Sequence, residues 1–102
     1  MYHGSIGHAS GIRAGGLDLE RLPTWITRDS AAARNAIDPR QRADRITDAG
    51  VIEAHIPKAE FEAVLAPGER AYSGFNGALP DSTEIVTRMP EQATLFNRHI
   101  IR

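Results

Sequence analysis

Three residue types, well separated along the chain, carry the possible chemistry. Glu84 is a lone carboxylate at the head of a β-branched run, Ile85-Val86-Thr87, which Met89-Pro90-Glu91 then breaks with a turn. An acid at the mouth of a strand, held by sheet on both sides, is a rigid mount for one catalytic carboxylate. At the other end of the chain, Tyr2-His3-Gly4-Ser5 puts an imidazole beside a residue with no side chain. Trp25 stands between them in a third strand-like run, Thr24 to Thr27. Each has an ordinary alternative: Glu84 as an exposed strand-end charge, His3 as a packed strand-end histidine, Trp25 as plain core. The sequential order of the three, rather than any one alone, favours a joint role.

The elements that must position them follow from pattern. Met1 to His3 is expected to form a first strand that stops at Gly4. Ser5 to Ala14 has apolar Ile6, Ala9 and Ile12 at helical spacing, and Gly15-Gly16 should end that helix. Leu17 to Pro23 is expected as loop, and Thr24 to Thr27 as the second strand. Asp29 or Ser30 should cap an alanine-rich helix from Ser30 to Ile37. Asp38-Pro39 looks like the opening of a short polar helix or loop through Arg45, where Arg34, Arg40, Arg42 and Arg45 concentrate positive charge. Val51 to Ile56 is the most clearly patterned strand. Pro57 to Leu65 should be a short amphipathic helix with Phe61, Val64 and Leu65 on one face. Pro67-Gly68 marks a turn, and Tyr72 to Ser82 a long loop holding Phe75 and Leu79 that delivers the chain to Glu84. Phe96 to Ile101 is expected as a closing strand. The sum is one α+β domain over residues 1–102, with a small split antiparallel sheet and short flanking helices.

Composition removes several classes of function. With 12 basic against 13 acidic residues, the net charge is -1. Affinity for nucleic acid or membrane through a strong overall field is therefore not expected. No apolar run is long enough to span a bilayer, and the N-terminus has no signal-peptide pattern. Cysteine is absent, so neither disulfides nor cysteine ligands enter. His3, His8, His55 and His99 match no compact zinc spacing, and no metal is expected. A metal-independent ribonuclease is the main rival chemistry. It would draw its acid, base and phosphate-binding cations from His55 or His99, Glu84 or Glu53, and Arg88 or Arg98. A small binding domain, such as an immunity or adaptor protein, would give Glu84 and His3 no joint role.

The order of these pieces resembles the ADP-ribosyltransferase family, in particular the poly(ADP-ribose) polymerase and diphtheria-toxin branch with its His-Tyr-Glu triad on three strands of a split sheet. Tyr2-His3-Gly4 is similar to that branch's first strand. Trp25 ahead of Ser30 to Ala36 is similar to its second-strand aromatic and small-residue helix. Thr83-Glu84-Ile85-Val86, then Pro90-Glu91-Gln92, then Phe96 to Ile101 is similar to its glutamate strand, turn and closing strand. The resemblance implies NAD as substrate, cleaved at the nicotinamide–ribose bond. Glu84 would stabilise the oxocarbenium-like ribose and take the ribose 2′-hydroxyl hydrogen bond. His3 would orient the dinucleotide at the adenosine ribose, and the Gly4 backbone would meet the nicotinamide amide. Trp25 would flank the nicotinamide ring, and Ser5 or Arg13 would reach the pyrophosphate.

The sequence also departs from that pattern. Trp25 stands where tyrosine is usual. Ala33 to Ala36 offer no second stacking aromatic, for which Tyr72 or Phe75 is the available substitute. Ser82 is neither the Glu of the arginine-modifying branch nor the Gln of the asparagine-modifying one, so the acceptor stays open. Compact members of the family are commonly toxin domains of larger secreted bacterial proteins. That implies a toxin acting in the target-cell cytoplasm on a macromolecular acceptor, most simply a protein. It also implies a cognate immunity protein that covers the NAD cleft. Plain NAD hydrolysis is the nearest variant.

Overall fold

The computed structural model describes residues 1–5, 7–41, 48–72 and 82–102, with backbone only for residues 38–41. Strand β1 (Tyr2–Ser5) pairs antiparallel with β3 (Gly50–Glu53). Strand β5 (Thr83–Thr87) lies between β2 (Thr24–Ile26) and β4 (Glu69–Ala71), antiparallel to both. The two sheets touch through one antiparallel bridge, Tyr2 to Thr27. The lateral order is therefore β4-β5-β2, a seam, then β1-β3. This is an α+β arrangement with a split antiparallel sheet.

Among the described residues, four helices cover it. Helix α1 (Ala9–Gly15) starts about one turn of sequence later than its apolar spacing suggests, and Ile6 lies outside the described residues. Its first N–H groups need partners, and a distant residue supplies them. The Asp48 carbonyl accepts from Ala9 N–H at 3.0 Å, and the Asp48 carboxylate accepts from Ser10 N–H and from its hydroxyl at 2.6 Å. Gly16 closes the helix at φ 90°, a conformation that favours glycine. The connection to β2 holds a 3-10 turn at Leu19–Arg21. Helix α2 (Ser30–Gln41) is capped by Asp29, whose carboxylate accepts the Ala31 N–H at 2.8 Å. It runs through Asp38-Pro39 instead of stopping at Ile37 as the sequence suggests. The side chains of Arg40, Arg42 and Arg45 lie outside the described residues; Arg34 is exposed. Ala32, Ala33 and Ile37 form the buried face of α2 over β1 and β3. Small residues let this helix lie very close: a Cβ on Gly4 would sit 2.3 Å from the Ala33 carbonyl oxygen.

Beyond β3, helix α3 (Lys58–Glu60) continues as a π turn at Phe61–Leu65 and a 3-10 turn at Ala66–Gly68. That last turn leads directly into β4, a strand not expected from sequence. The expected closing strand is corrected: Phe96 belongs to helix α4 (Pro90–Arg98). Pro90 opens that helix, and the Gln92 side chain accepts the Arg88 and Met89 N–H groups at 2.9 and 3.0 Å. Only the last residues reach the sheet, where Ile100 bridges Ala54 and Ile101 N–H donates to the Glu53 carbonyl at 2.8 Å. The core lies between the sheet and α1, α4 and the π turn. Ile26, Ile52, Leu65, Ile85 and Phe96 are its most buried large side chains, each worth roughly 2 kcal/mol of transfer free energy. Among the described residues no helix is long and apolar enough to cross a membrane. Phe75 and Leu79 lie outside the described residues.

Candidate functional site

The site is built at the seam, and backbone hydrogen bonding makes it. Met1 and Ala54 exchange N–H and C=O bonds at 2.8 Å each, so Met1 faces β3. Bonding direction alternates along a strand, so Tyr2 and Gly4 face β2 instead. Tyr2 exchanges both of its backbone bonds with Thr27, at 2.7 and 2.9 Å. The next rung would pair Gly4 with Trp25. That rung does not form, and the Trp25 carbonyl accepts from the His3 ring instead, with Nδ1 2.7 Å away. The His3 ring thus links β1 to β2 where the backbone ladder stops, and the Gly4 backbone edge faces β2 across that seam.

Trp25 and Glu84 share a face. Trp25 pairs with Val86, and side chains two apart on a strand point the same way, so Glu84 stands one row from Trp25. Trp25 is 51% exposed while Glu84 is 4% exposed. Glu84 is therefore not the exposed strand-end charge of the ordinary reading. It is a buried carboxylate on the strand between β2 and β4. Its cross-strand partner on β4 is Arg70, with Nε 3.7 Å from the carboxylate. Sheet does hold Glu84 on both sides, but β4 supplies the second side, not the C-terminal segment. Carried one step further, the β2-β5 register sets Thr27 beside Glu84, and the Thr27 hydroxyl donates to the Thr83 carbonyl at 2.7 Å.

His3 comes to the seam from the other side. It pairs with Ile52, whose side chain is in the core, and so shares the opposite face with Ser5. His3, Ser5 and Thr24 line a groove of about 400 Å³, whose other wall includes Ile12, Leu17, Asp18 and Arg21. The three expected catalytic residues therefore do not line one open face. Trp25 and Glu84 point to the side on which α2 packs, Glu84 one strand back from the seam, and His3 lines the groove on the other side. Burial pushes the His3 imidazole below its ordinary range, against the opposing effect of the Trp25 carbonyl. A carbonyl only accepts, so Nδ1 carries the hydrogen and Nε2 of the neutral ring is an acceptor.

The two expected pyrophosphate contacts differ. Ser5 lines the groove, buried, and its hydroxyl accepts the His8 N–H at 3.1 Å. Arg13 does not join it, because α1 turns its guanidinium toward the β3 edge, 3.4 Å from the Val51 carbonyl. Arg21 is the arginine that lines the groove, beside Asp18 at 3.4 Å. Sequence reasoning missed Arg21 and Arg70. The helical phase of Arg13 could have signalled the first; nothing local signals the second, which depends on strand pairing. Of the groups expected for a ribonuclease, Glu53, His55 and His99 come together, with His55 N–H donating to the His99 carbonyl at 3.1 Å, and Glu84 lies apart from them. His55 contacts Glu53 at 2.8 Å at the end of β3, and His99 lies 3.4 Å from Glu60. In the lateral order, β3 is three strands from Glu84.

Comparison of the chain with protein-family models, with curated proteins and with solved structures finds no match.

Proposed function

We propose that this chain is an ADP-ribosyltransferase with NAD as its substrate, acting as a toxin domain on a cellular macromolecule, most simply a protein. The observation that carries the reading is Glu84, a buried carboxylate one row from the exposed Trp25 on the same face, with the Gly4 backbone edge across the seam from Trp25. A primary carboxamide offers one acceptor and one donor side by side. The Gly4 N–H and C=O offer the complementary pair, as a strand neighbour would. Trp25 supplies an aromatic face beside a ring held there. Glu84 supplies negative charge where the ribose becomes cationic as the C1′–N bond breaks and nicotinamide leaves with the bonding electrons. The acceptor then attacks C1′ and gives up its proton. On the groove side, Nε2 of neutral His3 accepts a hydrogen bond from a sugar hydroxyl, and Arg21, which lines the same groove, supplies a cation for the pyrophosphate.

The same chemistry with water as acceptor is NAD hydrolysis, and the site is equally suited to its first step. An immunity protein that covers the seam would inhibit either outcome. The test is nicotinamide release from NAD by the purified protein and its Glu84→Gln variant. Wild-type turnover that falls by about a hundredfold or more in the variant supports the reading. Equal rates in the two proteins, or no release by a folded wild type, would overturn it.

A further inference from the structure

Glu84 has a companion that its own strand does not reveal. Arg70 lies directly opposite it on β4, its side chain 51% exposed while that of Glu84 is 4% exposed. The separation of 3.7 Å between Nε and the carboxylate oxygen is an ion-pair distance, longer than a hydrogen bond. Its contribution is therefore Coulombic. The backbone that carries Arg70 is firmly held. Its neighbour Glu69 accepts two bonds from the Arg28 guanidinium, at 2.7 and 2.5 Å, and a third from the Thr83 hydroxyl at 2.8 Å. Those contacts tie β4 to the end of β2 and to β5. Arg28 also lies over the Phe61 ring, 5.0 Å from its centroid. An ordinary surface ion pair has no such fixed mount and no buried partner.

We propose that Arg70 is a positioning residue for Glu84, an inference that rests on the NAD-cleaving reading above. Arg70 sets a cation across the strand pair, 3.7 Å from the Glu84 carboxylate, while its guanidinium stays at the rim. That charge orients the carboxylate for the developing oxocarbenium ion. The effect belongs to the chemical step rather than to NAD binding.

The test compares wild type, Arg70→Gln and Arg70→Lys in steady-state nicotinamide release, with unfolding midpoints measured alongside. Arg70→Gln should lower kcat by roughly tenfold or more with KM within about threefold. Arg70→Lys keeps the charge and should return kcat to within about threefold of wild type. A merely structural role would not follow charge in this way. The proposal is overturned if Arg70→Gln keeps kcat within about twofold, or if Arg70→Lys is as impaired as Arg70→Gln. Release that is lost in Glu84→Gln but unaffected by either Arg70 change would leave the NAD reading standing without this residue. No release by folded wild type would remove the NAD reading and this proposal together.

Discussion

The Nδ1–H of His3 on the Trp25 carbonyl stands where the β1-β2 ladder stops, and it leaves Nε2 of the neutral ring as an acceptor toward the groove. The structure is therefore built around an uncharged imidazole, and pH should report it. Burial lowers the His3 pKa in the folded state, while the unfolded chain titrates near the ordinary value of about 6.5. Between the folded value and that ordinary one, the unfolded state binds more protons. The stabilising difference is thus fully present above about pH 6.5 and is lost as pH falls below it. Urea unfolding at pH 7.5 and 5.5 should show a smaller loss of stability for His3→Gln than for wild type; parallel losses would contradict the account. At this scale the sequence was informative where chemistry is local. The pair His3-Gly4 can be read directly, but the sequence does not show that β1 runs on through Gly4 or that Gly4 lies against the α2 backbone. Arg70 cannot be read this way, because only the strand register makes it a neighbour of Glu84.

At the scale of elements, most of the reading survived and the C-terminus did not. Phe96 to Ile101 has strand-like composition, yet Ala93, Phe96 and Ile100 recur at helical spacing and are buried together. Proline in the first turn and the Gln92 cap decide for helix. That helix has a further task that no composition reveals. Its Asn97 carboxamide clamps the backbone of buried Leu17, with Nδ2 donating to the carbonyl at 3.1 Å and Oδ1 accepting the N–H at 2.7 Å. The clamp fixes the chain where it leaves α1 and enters the groove wall. Gly16 is suited to it, since a Cβ there would approach the Asn97 carboxamide to 2.6 Å. Asn97→Ala should cost about 1–3 kcal/mol in urea unfolding, because Leu17 loses both partners. A cost below roughly 0.5 kcal/mol would mean the clamp is incidental. Strand β4 was missed for a different reason: Glu69-Arg70-Ala71 has no β propensity of its own. Its place comes from pairing with β5 and from the Arg28 bonds to Glu69.

For the whole molecule, the informative feature is that one sheet is opened along a line between its second and first strands. The lateral order β4-β5-β2 and β1-β3 brings the two ends of the sequence together, with Glu84 on one side of the seam and His3 within it. An α+β class and three ordered strands were legible because β-branched runs, glycines and caps are local signals. The split was not, because it lies between strands 22 positions apart in sequence, where a side chain and not the backbone bonds the Trp25 carbonyl. A chain with a net charge of -1 and a site of this form fits small-substrate chemistry better than field-driven binding. The measurement that tests the central claim most directly is label transfer from NAD marked on its adenosine side. Wild type and Glu84→Gln would each be incubated with the labelled NAD and a bacterial lysate, and macromolecular label and free nicotinamide would be followed together. The account predicts a labelled macromolecule with wild type that is absent with the variant, with nicotinamide released in step. Neither label nor nicotinamide, from protein with an intact unfolding transition, would contradict it.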